Sequence, residues 1–274
     1  MILRSTVGRD DPARRYYLRV QETIMKNTLS NHLSPSRLER IICLEETEST
    51  NTYLKNLAAD APDGLAVLSR RQSGGRGRVG RSFSSPEGGL YLSLLYSFDA
   101  PPAAFTACAA VAVRRAIKAS CGLEAGIKWV NDLLLDGKKV CGILTESADG
   151  AVVVGIGLNV NTADFPPELP GAASLASVSG REYDIAELAA AVIRELDGLA
   201  AAYPACLAAC RAEYAAACVN PGREVLIIRG GEKSPAFAEA VAEDFSLLVR
   251  YPDGKRENVF YGEVSLRGAD GEYV

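Results

Sequence analysis

An arginine- and glycine-rich segment constrains this chain more than any other feature. Residues 70–81 read RRQSGGRGRVGR and contain five arginines, four glycines and no acidic residue. So much glycine disfavours a helix or a strand interior, and the like charges oppose a compact empty loop. An anionic ligand would remove that repulsion, because glycines let backbone N–H groups approach it and arginine matches phosphate geometry. The segment therefore predicts a loop that binds a phosphate-bearing ligand.

Two other interpretations of this loop stay open at this point. A solvated flexible linker can have a similar composition. A nucleic-acid-binding loop uses the same phosphate chemistry. The segment has no interleaved aromatic residues, however, so stacking on bases is not indicated.

A second polar cluster follows further along the chain. Lys128, Asn131 and Asp132 are expected to meet at one end of a strand. A hairpin at Asp136-Gly137 would return Lys139 beside them. A cation, an amide and a carboxylate in one place can hold phosphate, and the carboxylate can take Mg²⁺.

Each residue of this second cluster also has a purely structural interpretation. Lys138 and Lys139 could simply flank a surface turn, and Trp129 is expected in the core rather than under a ligand. Strand alternation directs Lys138 and Lys139 to opposite faces. Gly142 inside a strand indicates close approach of a ligand or of another backbone.

The apolar runs divide the chain into three parts. Residues 1–40 are polar and basic and are predicted to form a flexible N-terminal arm, and a chain starting at Met25 is expected to fold and keep its activity. Residues 41–219 are predicted to form a catalytic α+β domain. Its predicted elements are strands at Ile41–Leu44, Leu65–Ser69, Leu90–Ser97 and Val152–Val154, hairpins at Asp136-Gly137 and Asp149-Gly150, and helices at Tyr53–Ala59, from Pro101 through Ser120, and after Asp184.

The C-terminal part, residues 220–274, has a different composition. Five short apolar runs follow Pro221-Gly222, and Asp253-Gly254 marks a hairpin between two of them. Five short strands in so few residues are typical of a small β-barrel.

Composition and charge exclude several classes. Of the 274 residues, 48% are hydrophobic and 23% are charged, and the net charge is −4, which argues against a surface that binds nucleic acid throughout. No apolar run reaches the length of a membrane span, and no signal peptide is recognisable, so we expect a cytoplasmic protein that does not contact a membrane. The seven cysteines form no CxxC pair, and we expect them to be reduced thiols.

Five motifs together resemble the biotin–protein ligases. In chain order they are Ser49-Thr50-Asn51, Gly75–Arg81, Lys128–Asp132, Lys139–Leu144 and Gly157-Leu158-Asn159. Residues 262–267 also resemble the last strand of that family, and the similarity covers roughly residues 41–268. The resemblance implies a mixed β-sheet backed by helices, of the class II synthetase-like type, with an SH3-like C-terminal barrel.

The resemblance also implies a role for each matching residue. Biotin would be bound by Ser49, Thr50, Gln72, Gly75, Arg76, Lys139 and Gly142. ATP or the adenylate would be bound by Arg78, Arg81, Lys128, Trp129, Asn131, Asp132, Asn159 and Arg267. Lys139 and Arg78 would be the catalytic pair, and Asp132 would be the residue to take Mg²⁺.

The activity implied is ATP-dependent conversion of biotin to biotinyl-5′-AMP, followed by transfer of biotin to a lysine of a carrier protein. ATP is the co-substrate, Mg²⁺ the metal and biotin the substrate. The partner implied is a biotin carboxyl carrier protein or domain of a carboxylase, and a homodimer is compatible with the resemblance. The alternatives are a lipoate or octanoate ligase and, from another class, a nucleic-acid-binding regulator.

This sequence departs from the family pattern at three places. Val130 replaces a proline, and Phe83 stands where an aromatic residue, often Trp, follows the arginine loop. Some family members carry an N-terminal helix-turn-helix that binds DNA. Residues 1–40 show no pattern of two apolar helix faces, so no DNA binding is expected.

Overall fold

The computed structural model describes residues 25–98, 102–260 and 263–266 and contains two β-sheets. The strands are β1 Ile41–Thr47, β2 Ala66–Gln72, β3 Gly89–Tyr96, β4 Gly126–Lys128, β5 Asp132–Leu135, β6 Lys138–Ala148, β7 Ala151–Asn159, β8 Arg223–Arg229, β9 Glu232–Val241, β10 Leu247–Arg250, β11 Arg256–Val259 and β12 Glu263–Leu266. The helices are α1 Pro35–Leu38, α2 Thr50–Lys55, α3 Pro102–Cys121, α4 Leu175–Ser179, α5 Ile185–Ala202 and α6 Leu207–Ala217. None of these helices is long and apolar enough to cross a membrane.

The larger sheet is mixed and carries the core. Its strand order is β1-β2-β3-β7-β6-β5-β4, in which β1 and β2 are parallel and the other neighbours are antiparallel. Every residue of β3 is buried, because α3 and α5 cover one face and a smaller apolar cluster around Leu54 and Val153 covers the other. Burial on both faces accounts for the nearly unbroken apolar runs of the central strands. The expected mixed sheet backed by helices is confirmed.

The turns follow from local sequence. Asp136 and Gly137 have φ of 49° and 76°, and Asp149 and Gly150 have φ of 47° and 75°. Two successive residues with positive φ form the hairpin turn that Asp-Gly favours, so both predicted hairpins are confirmed.

The helix termini also follow from local sequence. Ser49 caps α2 by accepting a hydrogen bond from the Thr52 amide, and Asp184 caps α5 by accepting from two amides of its first turn. α2 begins earlier and ends earlier than the predicted Tyr53–Ala59. Helices α4 and α6 were not predicted, because neither has a strong apolar period in the sequence.

The smaller sheet is antiparallel, with the order β11-β10-β9-β8-β12, and matches the five predicted C-terminal strands. It contacts the larger sheet through Phe245. The Phe245 carbonyl accepts a hydrogen bond from Trp129 Nε1 at 2.8 Å, and its ring packs edge-on against Tyr214 at 5.7 Å between centroids. The boundary at residue 219 stays a prediction.

The described part of the predicted arm, residues 25–40, is packed against the core, whereas the sequence predicted a flexible segment. Residues 25–29 are helical and Leu29 is fully buried. Arg37 donates to Asp197 Oδ2 at 2.7 Å, and the other oxygen of that carboxylate accepts from the Tyr96 hydroxyl. Residues 1–24 lie outside the described residues, so the expectation for a start at Met25 stays a prediction.

We expect Leu29→Ala to lower the free energy of unfolding by about 2–5 kcal/mol, since it deletes a buried aliphatic side chain. Lys26→Ala is the matched control, because Lys26 is exposed in the same helical segment and should change stability by less than about 0.5 kcal/mol. Urea unfolding measures both. Equal, small effects would contradict the packing of this segment.

Candidate active site

A cavity of about 800 Å³ opens at the carboxyl end of β2 and over the middle of β6 and β7. One side is formed by the arginine–glycine loop, which we define as residues 72–81. The other side is formed by residues 128–132 and by residues 168–172. Val264 and Ser265 of the C-terminal sheet also contribute. The cavity therefore gathers segments that are far apart in the sequence.

Hydrogen bonds fix one end of the cavity, between α2 and β2. Gln72 Oε1 accepts from the Thr50 backbone amide at 2.8 Å and lies 3.2 Å from Thr50 Oγ1. Gln72 Nε2 donates to Ser85 Oγ at 2.8 Å. The side chain of Gln72 is therefore held at both ends, and it presents a neutral, polar surface beside Ser49, which also lines the cavity.

Asn51 completes this polar end and was not predicted as a site residue. Its Oδ1 lies 2.6 Å from the hydroxyl of the fully buried Ser93, and its Nδ2 donates to the Leu144 carbonyl at 3.1 Å. A Cβ at Gly155 would lie 2.0 Å from Asn51 Oδ1. Gly155 therefore makes room for Asn51, and the pairing of Ser93 with Gly155 across β3 and β7 brings all three together.

We expect Gly155→Ala to destabilise the protein by about 1–3 kcal/mol, because Asn51 is held by hydrogen bonds and cannot move away without breaking them. Gly198→Ala is the control. Gly198 lies in α5 with no atom within contact distance of an added Cβ, so this change should stabilise the protein by about 0.5–1 kcal/mol. Thermal or urea unfolding measures the change in the free energy of unfolding, which should have opposite signs in the two variants. A change of the same sign in both would contradict the tight fit at Gly155.

Lys139 lines the cavity from β6. Its Nζ lies 2.7 Å from Asp132 Oδ1 and 5.8 Å from the centroid of the Phe83 ring. Lys138 is exposed on the other face of the strand. The predicted return of Lys139 beside Asp132, and the opposite direction of Lys138, are both confirmed.

Two glycines leave the space that the Phe83 ring occupies. A Cβ at Gly157 would lie 2.6 Å from the Phe83 ring, and a Cβ at Gly142 would lie 3.1 Å from it. Gly142 and Gly157 are direct partners across β6 and β7. The sequence indicated close approach at Gly142, and the structure identifies the approaching groups as the side chains of Phe83 and Lys139.

The arginine–glycine loop extends β2 and then folds back on itself. Its Gly77 amide donates to the Arg81 carbonyl at 2.7 Å, and Arg78–Gly80 form a single 3₁₀ turn. Arg78 Nη1 reaches across the cavity to Asn131 Oδ1 at 3.5 Å. Arg76 pairs with Glu48 Oε1 at 3.3 Å near the solvent. Arg76, Arg78 and Arg81 all line the cavity, and their predicted roles in binding biotin and phosphate stay predictions.

Hydrogen bonds hold the side of the cavity formed by residues 128–132 against the core. Asn131 Nδ2 donates to the Ile143 carbonyl at 3.0 Å, which leaves Asn131 Oδ1 facing Arg78. The Trp129 amide donates to Asn220 Oδ1 at 2.7 Å. Trp129 is 4% exposed, so it belongs to the core, as expected, while one part of it still lines the cavity.

Two predicted site residues, Asn159 and Gly75, do not line the cavity. Asn159 is buried, and its Nδ2 donates to the Ala173 carbonyl at 3.0 Å, where it fixes the end of the 168–172 segment. Gly75, within the loop, packs tightly against the Phe83 carbonyl and the Ser85 hydroxyl, where an added Cβ would lie 2.4 Å and 2.5 Å from their oxygens. Arg267 lies outside the described residues. The roles of these residues in binding stay predictions.

Residues 168–172 were not predicted as part of the site. This segment pairs with Lys139, whose amide donates to the Gly171 carbonyl at 2.7 Å and whose carbonyl accepts from the Ala173 amide at 2.9 Å. Its sequence, ELPGA, carries no strand or helix pattern that could have placed it there.

The side chains that line the cavity could hold Mg²⁺ only together with oxygen ligands from a bound nucleotide. Across the part of the chain that the structure describes, His, Cys, Asp and Glu side chains form no group of three arranged to hold a metal ion. Asp132 and Glu168 are nevertheless carboxylates that line the cavity. Mg²⁺ in nucleotide enzymes is held by one or two carboxylates together with phosphates, so the site fits a metal that arrives with ATP.

Comparison with known proteins places the chain in a family. The Biotin/lipoate A/B protein ligase family matches residues 43–162. A biotin–[acetyl-CoA-carboxylase] ligase of Paracoccus denitrificans is 33% identical over 244 residues, which cover 80% of this chain and 99% of the relative. A bifunctional ligase/repressor BirA of Bacillus spizizenii is 41% identical over 153 residues, and this alignment covers 52% of the chain and 46% of that protein.

A solved structure agrees with the sequence relatives. The biotin protein ligase from Aquifex aeolicus in complex with biotin and ATP superimposes with a TM-score of 0.76 at 27% identity, covering 84% of this chain and 99% of that one. The chain therefore belongs to the biotin/lipoate A/B protein ligase family and, within it, to the biotin–protein ligases.

Proposed function

We propose that this protein uses ATP to convert biotin to biotinyl-5′-AMP, with release of pyrophosphate, and then transfers biotin to a lysine of a biotin carboxyl carrier protein. The relative from Paracoccus denitrificans is a biotin–[acetyl-CoA-carboxylase] ligase, and the Aquifex aeolicus structure contains biotin and ATP. The observation that carries the proposal is the position of Lys139, between a neutral polar end of the cavity and an arginine-lined end.

One end of the cavity suits the ring system of biotin, and the other end suits the phosphates of ATP. Thr50 and Gln72 form a neutral hydrogen-bonding surface beside Ser49, which suits the uncharged ring system of biotin. Arg78 and Arg81 lie further along the arginine–glycine loop, where Arg78 contacts Asn131, and they suit phosphate oxygens. Biotin bound in this direction places its carboxylate near Lys139.

Adenylation joins two anions, and this chain supplies the charge that brings them together. A biotin carboxylate oxygen forms a bond to the α-phosphorus, and the bond from that phosphorus to pyrophosphate breaks. The carboxylate and the triphosphate repel each other in water. An ammonium at Lys139 and a guanidinium at Arg78 offset this repulsion and align the reacting atoms, as fixed charges do in closed sites.

Asp132 has a separate task in this proposal. Its carboxylate lies 2.7 Å from the Lys139 ammonium, so it holds the ammonium in position before substrate arrives. Asp132 would also be the carboxylate that holds Mg²⁺ bound to ATP, where the metal would stabilise negative charge on the leaving pyrophosphate.

In the transfer step, the amine of the acceptor lysine attacks the carbonyl carbon of the mixed anhydride. The new C–N bond forms, the bond to the phosphate oxygen breaks, AMP leaves and the amine loses a proton. The anhydride is also open to hydrolysis by water. The arginine–glycine loop lies over the cavity and contacts Asn131 on the far side, so closure of this loop would keep water out.

The decisive experiment is exchange of labelled pyrophosphate into ATP, with biotin, lipoate or octanoate as the acid. We expect exchange that depends on biotin and is at least tenfold slower with the other two acids, on the order of 1.4 kcal/mol of discrimination. Equal or faster exchange with lipoate or octanoate would instead assign the chain to a lipoate or octanoate ligase.

A further inference from the structure

Ser93 and Asn51 connect the interior of the larger sheet to the neutral polar end of the cavity. Ser93 in β3 is fully buried, and its Oγ lies 2.6 Å from Asn51 Oδ1 and 2.7 Å from Thr50 Oγ1. Asn51 Nδ2 donates to the Leu144 carbonyl at 3.1 Å and to Glu146 Oε2 at 3.0 Å. Thr50 lines the cavity, whereas Ser93 does not. A buried hydroxyl outside the cavity therefore contacts a residue that lines it.

The hydrogens of this network have one consistent arrangement. A backbone carbonyl only accepts, so the nitrogen of Asn51 faces Leu144 and its amide oxygen faces Ser93. An amide oxygen also only accepts, so Ser93 donates its one hydroxyl hydrogen to Asn51. The same hydrogen cannot serve the contact with Thr50. In that contact Ser93 Oγ therefore accepts, and the hydrogen between the two oxygens comes from Thr50.

Gln72 is a second acceptor beside Thr50. Gln72 Oε1 accepts from the Thr50 amide at 2.8 Å and lies 3.2 Å from Thr50 Oγ1. The 2.7 Å contact with Ser93 is shorter, and hydrogen bonds between a hydroxyl and another oxygen are most often about 2.7–2.8 Å long. The one hydroxyl hydrogen of Thr50 is thus directed to Ser93. Thr50 Oγ1 and Gln72 Oε1 are then two neighbouring acceptors, and both residues line the cavity.

We propose that Ser93 is a positioning residue, which holds Thr50 Oγ1 as a hydrogen-bond acceptor and so adapts the cavity to an acid whose ring carries an N–H donor. This inference rests on the proposed function, in which the ring system of biotin lies beside Thr50 and Gln72. The cyclic urea of biotin has two N–H groups, whereas the dithiolane of lipoate and the alkyl chain of octanoate have none. A site of two acceptors leaves its lone pairs unpaired with those acids and so disfavours them.

Ser93→Ala should weaken the binding of biotin and leave the use of ATP unchanged. Without Ser93 Oγ, the Thr50 hydrogen turns to Gln72 Oε1, and the two oxygens pair with each other instead of with a ligand. We expect the Kd for biotin, measured by calorimetry, to rise roughly 3- to 10-fold, as for the loss of about one hydrogen bond. In pyrophosphate exchange at saturating biotin, kcat and the KM for ATP should change by less than about twofold.

Ser69→Ala is the matched control. Ser69 is a buried serine of the neighbouring strand β2, its hydroxyl donates to the Arg71 carbonyl at 2.8 Å, and it does not line the cavity. The Kd for biotin should therefore change by less than about twofold in this variant.

A double-mutant cycle with Thr50→Val separates positioning from a structural role. Valine has nearly the shape of threonine but no hydroxyl. If Ser93 acts through the Thr50 hydroxyl, Ser93→Ala should raise the Kd for biotin in the unaltered chain and change it by less than about twofold in the Thr50→Val background. The same factor in both backgrounds would show that Ser93 only supports the fold, and would overturn the proposal.

A test on the unaltered chain needs no variant to fold. The ligands are biotin and the two cyclic carbamates in which one ring N–H of biotin is replaced by oxygen. We expect at least one carbamate to bind at least about tenfold more weakly, because its ring oxygen faces the acceptors. Equal affinity for biotin and both carbamates would overturn the role of the acceptors while leaving a biotin ligase. Exchange that depends on lipoate or octanoate instead of biotin would reject the proposed function and this inference together.

Discussion

Lys139→Ala is expected to slow biotin-dependent ATP–pyrophosphate exchange by roughly 30- to 1,000-fold, which corresponds to about 2–4 kcal/mol of lost stabilisation. The reason is the position of Lys139 on β6, between β2, which ends at Gln72, and β5, which begins at Asp132, where its ammonium faces the Asp132 carboxylate. Loss of this charge removes the group that offsets repulsion between carboxylate and phosphate. It also leaves Asp132 without its ion-pair partner, in the place where anionic substrates bind.

Lys138→Ala is the matched control for this prediction. Lys138 is adjacent in sequence, has the same charge and is exposed on the opposite face of the strand, so its loss should change exchange by less than about threefold. Biotin affinity, measured by calorimetry, should fall for Lys139→Ala alone. Similar losses of exchange in the two variants would mean that Lys139 does not act through its position in the cavity.

Arg78→Gly is expected to produce a ligase that releases its reactive intermediate. Arg78 reaches across the cavity to Asn131, and this contact joins the arginine–glycine loop to the opposite side. Ordering a loop of ten residues costs roughly 1–2 kcal/mol for each residue, which ligand contacts must offset. Charge-assisted bonds from Arg78 to phosphate would contribute to that offset. Without them, biotinyl-5′-AMP should escape or hydrolyse.

The measurement for Arg78→Gly is labelling of a bystander protein. The variant is incubated with biotin, ATP and an unrelated lysine-rich protein, and biotin on that protein is detected by blotting. We expect labelling well above that by the unaltered chain, while adenylate synthesis stays measurable. Arg71→Gly is a suitable control, because Arg71 is an exposed arginine that pairs with Glu46 on β1 and does not line the cavity.

Hydrogen exchange across residues 72–81 tests the loop itself. We expect fast exchange in the free enzyme and protection when biotin and ATP are present. The single 3₁₀ turn and the few internal hydrogen bonds of the loop are too little to order it alone. Strong protection without ligand, or an Arg78→Gly variant that makes adenylate yet labels no bystander, would contradict loop closure as the means of retention.

Local sequence determined the parts of this protein that depend on near neighbours. The Asp136-Gly137 turn fixes the hairpin, and the hairpin brings Lys139 back to Asp132 while it turns Lys138 away. Ser49 caps α2 and so places Thr50 beside the cavity. The composition of residues 70–81 predicted an anion-binding loop, and the order of the motifs was specific enough to indicate the family. These features are encoded within a few residues, so no tertiary information was needed.

Tertiary structure alone decided which residues meet inside the cavity. Phe83 lies over Gly142 and Gly157 because β6 and β7 pair in a register that puts the two glycines side by side. Residues 168–172 reach the site only by pairing with the backbone of Lys139, and their sequence has no signal for it. Asn159 shares a motif with site residues but turns inward to bond Ala173.

The same distinction explains the correction at the N-terminus. Residues 25–40 carry few apolar residues and look like an extension when only their own sequence is considered. Leu29 is nevertheless buried in the core, and Arg37 is bound by Asp197, which is 160 residues away in sequence. A periodic pattern of apolar residues predicts only that one face of a segment is buried. The contacts of Leu29 and Arg37 are made with partners that come close only in the folded chain, so no local pattern predicts them.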